Sequence, residues 1–237
     1  MRVGTAGWSN PPSYKPRRLE HQSHLAFYAD HFPCVEINSS FYRPHRKSTY
    51  HAWKTATPES FRFSVKMPRT ITHESALRHA ASETNQFFSG IEALQPKLGA
   101  VLIQLPPSLE FSAPLVRAFF KSVPKLSGVR LVCEPRHAGW FTGAADALLE
   151  RLDVSRAATD PSAFPAAKRA GGSRAFGYFR WHGSPRMYYS SYSDRQLKSF
   201  ASLVKRAGCA HAWCIFDNTA LYAAWDNATS LMSRLEP

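Results

Sequence analysis

The sequence is short of cysteine, of acidic residues and of long apolar runs, and each shortage removes a class of protein. Its four cysteines, Cys34, Cys133, Cys209 and Cys214, include no C-x-x-C pair. Three of them lie inside or at the start of apolar strand-like runs, which reads as buried reduced thiols rather than a disulfide framework. No uninterrupted apolar stretch approaches the roughly 18 residues that a membrane span requires. The opening Met1-Arg2-Val3-Gly4-Thr5-Ala6-Gly7-Trp8 lacks the apolar core of a signal peptide, so a cytoplasmic protein with no membrane partner is expected. No G-x-G-x-x-G or Walker A motif opens a helix, which argues against an open nucleotide-binding sheet. The absence of H-E-x-x-H and G-x-S-x-G argues against a zinc protease and a serine nucleophile. Acids number 17 against 30 Lys and Arg, for a formal charge of +13 and a pI near 9.9. Such an excess suits an anionic partner, either a phosphorylated metabolite or a nucleic-acid backbone, with a merely solvated basic surface as the plain alternative.

What is present is a chain of 237 residues, 44% hydrophobic and 13% aromatic, which can bury a sizeable core as one domain and has a length common among closed α/β barrels. Apolar runs at 2–8, 34–40, 61–67, 99–105, 129–134, 155–160, 176–182 and 211–217 have strand length and composition. Helical patterns separate them: 19–32, 49–56, 83–94, 113–122, 144–152, 194–207 and 220–235. The connection 161–175, with Pro161, Pro165, Gly171 and Gly172, has room for a short helix at most. Alternating strand and helix implies a parallel sheet, and this number of units favours a single-domain TIM-like (β/α)8 barrel over residues 1–237.

The strand runs carry polar residues two apart: Glu36 and Asn38, Ser64 and Lys66, Glu134 and Arg136, Arg180 and His182. Residues i and i+2 share a face of a strand, and the opposite parity is apolar (Val35 and Ile37, Phe63 and Val65, Phe179 and Trp181), so the polar set is expected to face inward. Ligand sites in this fold lie at the C-terminal ends of the strands, where these residues cluster. The candidate catalytic residues are Glu36, Glu134, His182 and Asp217. The candidate ligand-binding residues are Trp8, Asn38, Lys66, Gln104, Arg136, His137, Arg180 and Asn218, with Ser9, Ser40 and Asp160 nearby. Carboxylates held ionised beside Lys and Arg suit acid/base chemistry or anion capture, and a structural ion-pair network is the competing reading of the same residues. Lys66, Arg136 and Arg180 sit among the carboxylates and disfavour a metal, so neither metal nor cofactor is expected. His45, His51, His73 and His79 fall in connections or helices and read as surface or capping residues.

The motifs Gly4-Thr5-Ala6-Gly7-Trp8, Val35-Glu36-Ile37-Asn38-Ser39-Ser40-Phe41-Tyr42-Arg43, Ile71-Thr72-His73, Gln104-Leu105-Pro106-Pro107-Ser108, Glu134-Pro135-Arg136-His137, Arg180-Trp181-His182-Gly183 and Asp217-Asn218-Thr219 resemble, in this order, the domain of unknown function 72 (YecE-like) family. The resemblance runs from residue 4 to 228 and implies a TIM-like barrel, but no reaction. Pro135 and Asp217 depart from the family's usual residues. The leading expectation is an enzyme, a hydrolase or isomerase, acting on a phosphorylated or other anionic substrate. The alternative is a nucleic-acid-binding or metal-dependent nuclease-like protein, for which the acid-free basic stretches from Ile37 to Pro58 and from Pro161 to Ser193 would form the groove. A degenerate barrel serving as an interaction module is the third reading. No oligomeric state is implied.

Overall fold

The computed structural model describes residues 1–13 and 19–235. Its elements are β1 (Arg2–Thr5), α1 (His24–Ala29), β2 (Cys34–Ile37), α2 (Lys47–Thr55), β3 (Arg62–Lys66), α3 (Ala81–Ile91), β4 (Leu98–Gln104), α4 (Ala113–Ser122), β5 (Arg130–Glu134) and α5 (Gly143–Arg151). There follow β6 (Val154–Arg156), β7 (Ala158–Asp160), β8 (Gly171–Gly172), β9 (Phe176–Trp181), α6 (Asp194–Arg206), β10 (His211–Phe216) and α7 (Ala223–Leu235). The helices begin where side chains satisfy their free N–H groups. Thr142 accepts from the Ala145 amide ahead of α5, and Ser193 and Gln196 form a reciprocal capping box ahead of α6. Helix α6 then buries Leu197, Phe200, Ala201 and Val204, an apolar stripe at helical spacing, and stacks Phe200 on Trp181 at 4.4 Å.

A single closed parallel barrel, the architecture expected from the alternating pattern, is not what the strands form. They divide into a four-stranded sheet in the order β1-β10-β9-β7 and a six-stranded sheet in the order β2-β3-β4-β5-β6-β8. The division falls within the sixth expected strand. Residues 154–156 pair with β5, whereas 158–160 pair with β9 in the other sheet. The free edge of β6 is occupied by the two glycines of β8, antiparallel to Ser155 and Arg156. Glycine is required there: Gly172 has φ +63, and a Cβ on it would lie 2.4 Å from the Val154 carbonyl oxygen. The Ser155 hydroxyl donates to the Phe176 carbonyl, replacing a backbone ladder bond between the sheets with a side-chain bond. On the other side, β1 and β2 are linked through the isolated bridge between Ala6 and Glu36.

The parity expectation is met within each sheet. Val35, Ile37, Phe63, Val65, Val101 and Ile103 belong to the large core packed beneath the helices, with Phe88, Val116, Phe119 and Leu148. The opposite parity builds a second apolar cluster from Cys34, Ala100, Leu102, Val132, Tyr178, Trp213 and Ile215. That inner cluster is the floor on which the polar residues at the strand ends rest. Its tightness is clearest at Gly4, where an added Cβ would lie 2.1 Å from the Cys34 carbonyl oxygen and 3.0 Å from the Tyr28 hydroxyl. Backbone cannot yield as a flexible side chain can, so Gly4→Ala is expected to destabilise the protein by about 3 kcal/mol, at the upper end for overpacking. Urea unfolding of the variant measures it, and a loss below about 1 kcal/mol would show that β1 and β2 can separate. Among the described residues, no helix is long and apolar enough to cross a membrane.

Candidate functional site

Three strands and the residues that follow them lift inward side chains in steps from the floor: Tyr178, Arg180 and His182 along β9 and just after it, Val132, Glu134 and Arg136 along β5 and just after it, and Cys34 and Glu36 on β2. Arg180, 0% exposed, occupies the middle layer and donates through all three of its guanidinium nitrogens. Its Nε and Nη2 donate to Glu36 (2.9 and 2.7 Å), Nη2 also to Asp217 Oδ2 (2.9 Å), and Nη1 to Glu134 Oε2 (3.1 Å). Glu36 receives in addition the Tyr178 hydroxyl at 2.8 Å, and Glu134 receives Gln104 Nε2 at 2.8 Å. Burial alone would raise the Glu134 carboxyl, but Arg180, Arg136 and His182 hold it well below the usual carboxylate range. For Asp217 the same contest between burial and the charges of Arg180 and His182 also ends below the usual value.

Above this layer stands a histidine with two distinct nitrogens. His182 Nδ1 lies 3.0 Å from Asp217 Oδ2, and its Nε2 lies 3.4 Å from Arg136 Nη2 and 3.7 Å from Glu134 Oε1. Nδ1 therefore faces a carboxylate to which its N–H donates, while Nε2 stands between the Arg136 guanidinium and the Glu134 carboxylate. Arg136 itself is 27% exposed; its Nε and Nη2 donate to Glu134 Oε1 at 3.1 and 2.8 Å, and among the described residues its Nη1 has no hydrogen-bond partner. Lys66 is 5% exposed, with its ammonium 4.1 Å from the Phe41 ring centroid. Among the described residues its Nζ makes neither a hydrogen bond nor a salt bridge. Burial, reinforced by Arg180 and opposed by Glu36, Glu134 and Asp217, pushes its pKa down to about 8.

The remaining sequence candidates lie apart from this cluster. Trp8 packs edge-on against Trp53 at 5.0 Å and, with Ser9, Asn10 and Asn38, lines a separate cleft of about 580 Å³ beside β1 and β2. His137 caps a short turn by accepting from the Gly139 amide. Asn218 is fully buried and ties Ser190 to Asn227, holding the loop after β9. Asp160 contributes its carbonyl to the His182 amide and the Tyr192 hydroxyl. Ser40 bonds the Lys66 carbonyl and fixes the end of β3.

Two rim residues have no strand-parity signal in the sequence. His73 reaches the site from a π-helical turn, Thr70–Glu74, with its ring 5.0 Å from Phe41. Its pKa is lowered by burial and then by Lys66, Arg69 and Arg136. Tyr188 adopts φ +69 and sets its ring edge-on to His182, 5.9 Å between centroids. π-bulges and left-handed non-glycine residues both collect at functional sites, and here one of each borders the same cations. Tyr178, which anchors Glu36 from below, was likewise hidden within an apolar run.

Fold and site together define an α/β protein whose parallel strands end in a buried carboxylate–guanidinium network beneath a partly open cationic rim. The chain belongs to the family described as "Protein of unknown function DUF72", whose profile matches residues 2–237, as the resemblance in its motifs implied. It is 35% identical over 123 residues to the UPF0759 protein YecE of Escherichia coli (strain K12), a match covering 52% of this chain and 44% of that protein. The UPF0759 protein YunF of Bacillus subtilis (strain 168) is 29% identical over 146 residues, 59% of this chain and 52% of the relative. The matches thus span about half the length of these curated relatives. A DUF72 family protein from Thermotoga maritima shares the fold with a TM-score of 0.86 at 24% identity, covering 100% of this chain and 99% of that one.

Proposed function

We propose that this protein is an enzyme that binds a small phosphorylated or otherwise anionic substrate above β3, β5 and β9. One observation carries the reading: among the described residues, at a rim where Glu36, Glu134 and Asp217 are already engaged, the two cations Lys66 and Arg136 retain unused N–H donors. An anion placed there meets the outward Nη1 of Arg136 and the positive charge of Lys66, with His73 and Tyr188 at its edges. His182 is the acid/base group, its ring oriented by Asp217 through Nδ1 and its Nε2 beside Arg136. Glu36, Glu134 and Asp217 act as positioning residues through Arg180 and His182.

Thermal shift and calorimetry with inorganic phosphate and small sugar phosphates test this. Phosphorylated compounds are expected to stabilise the protein, by about 2.7 kcal/mol at a hundredfold excess over Kd, while their dephosphorylated forms do not. Arg136→Ala is expected to abolish the shift without unfolding, since Glu134 keeps Gln104 and Arg180 as donors. Absence of any phosphate-dependent shift would remove the proposal. Retention of duplex DNA, with affinity falling steeply as salt is raised, would instead favour the nucleic-acid alternative.

A further inference from the structure

We propose that Lys66 is a nucleophile that forms a reversible imine with a carbonyl group on the anionic substrate, which makes that substrate a phosphorylated aldehyde or ketone. This inference rests on the anionic-substrate reading above and adds a covalent step to it.

The argument begins with a comparison inside the molecule. Among the described residues two lysines are almost fully buried, Lys97 at 3% and Lys66 at 5% exposure. Lys97 is satisfied as a structural lysine should be: its Nζ donates to the carbonyls of Lys54 (2.9 Å) and Thr57 (2.7 Å) and lies 3.4 Å from Glu59. Lys66 has none of this among the described residues, although it feels the charges of Glu36, Glu134 and Asp217. Arg180 has taken those carboxylates, so the amine stands against an aromatic face instead. A buried ammonium with empty donor positions is costly to keep, and desolvation beside a second cation is how proteins obtain a neutral, nucleophilic lysine near neutral pH. Burial and Arg180 bring Lys66 to about 8, so a useful fraction is free amine at physiological pH.

The surrounding groups suit the step. The Nζ lone pair forms a C–N bond as the carbonyl π bond breaks onto oxygen, and that oxygen takes a proton. The carbinolamine then loses its hydroxyl as water with a further proton, while nitrogen releases its own. Amine plus carbonyl becomes imine plus water, with no change of oxidation state. His182 moves these protons, and the outward donor of Arg136 holds the phosphate.

The experiment is reductive trapping of the full chain with D-glyceraldehyde 3-phosphate and sodium borohydride, read by intact mass and peptide mapping. One adduct per chain is expected, on Lys66, in large excess over every exposed lysine and suppressed by inorganic phosphate. Labelling of the unaltered protein should rise with pH about a midpoint near 8. Lys66→Arg, which keeps the charge and removes the nucleophile, should lose the adduct; if it fails to fold, the mapping and the pH profile of the unaltered chain decide alone. Adducts spread over surface lysines with Lys66 unmodified, while Arg136-dependent phosphate binding persists, would overturn the imine and leave the anion site standing. Loss of both would overturn the two readings together.

Discussion

Arg180→Ala is expected to lower the unfolding free energy by about 3–5 kcal/mol, the range measured when one partner of a buried ion pair is removed. The upper end is anticipated because one guanidinium serves Glu36, Glu134 and Asp217 together, and among the described residues Glu36 would keep only the Tyr178 hydroxyl as a side-chain donor. For a chain of this size that corresponds to a fall in Tm on the order of 10 °C. Arg180→Lys should recover part of the loss, since a single ammonium cannot address three carboxylates through a planar fork. The loss should be smaller at pH 5 than at pH 8, because orphaned buried carboxyls take up protons. Urea unfolding at both pH values measures this. A cost under about 1 kcal/mol would mean the network is solvated and contributes little. Phosphate binding should be impaired only as far as Glu134 and His182 lose their positions, since Arg180 is fully buried beneath the rim.

Lys66→Met is expected to have the opposite sign, stabilising the protein at pH 7 by about 2 kcal/mol. A folded-state pKa of about 8 against 10.5 for a free lysine corresponds to about 3 kcal/mol of penalty for the buried ammonium. Part of the gain is offset by losing the cation–π contact with Phe41, and a thioether of similar reach restores contact with the ring. The pH dependence follows from the sign of the shift. Because the folded-state pKa is depressed, this lysine's contribution to stability is fully present above about 10.5 and is lost as pH falls through about 8. The advantage of Lys66→Met over the unaltered protein should therefore narrow between pH 8 and 10.5. Comparing the two proteins cancels the opposing contributions of the buried cysteines and tyrosines. The same substitution should abolish phosphate-dependent stabilisation and imine trapping, a trade of function for stability expected at a strained site. Destabilisation at pH 7, or a gap that does not change with pH, would show that Lys66 is a paired structural lysine and would count against both site readings.

The local alternation of the strands was legible in the residues. Val35 and Ile37 against Glu36, or Phe63 and Val65 against Ser64 and Lys66, specify which side chains face the helices, because a two-residue period needs no knowledge of the partner strand. The caps of α5 and α6 and the apolar stripe of α6 are equally local. The motifs from Gly4 to Ala228 identified the family for the same reason: they are short spellings fixed in the chain. The arrangement of strands was a different matter. The break at Ala157, the glycine pair folded back on β6 and the thin contact of β1 with β2 turned an expected closed barrel into two sheets. Each depends on which distant backbone group takes a hydrogen bond, and every strand offers the same donors and acceptors. Within the site, the sequence named Arg180, Glu36, Glu134 and Asp217 but not their association, since Arg180 meets them across 144, 46 and 37 residues. Only that association shows that Arg180 is divided among three carboxylates, whereas, among the described residues, Lys66 bonds none and Arg136 gives Nε and Nη2 to Glu134 and keeps Nη1 unpaired. His73 and Tyr188 arrive through a π turn and a left-handed residue, which follow no period. Composition and alternation are local and fixed the facing of side chains, whereas the division of charges between structure and ligand was decided by tertiary contacts.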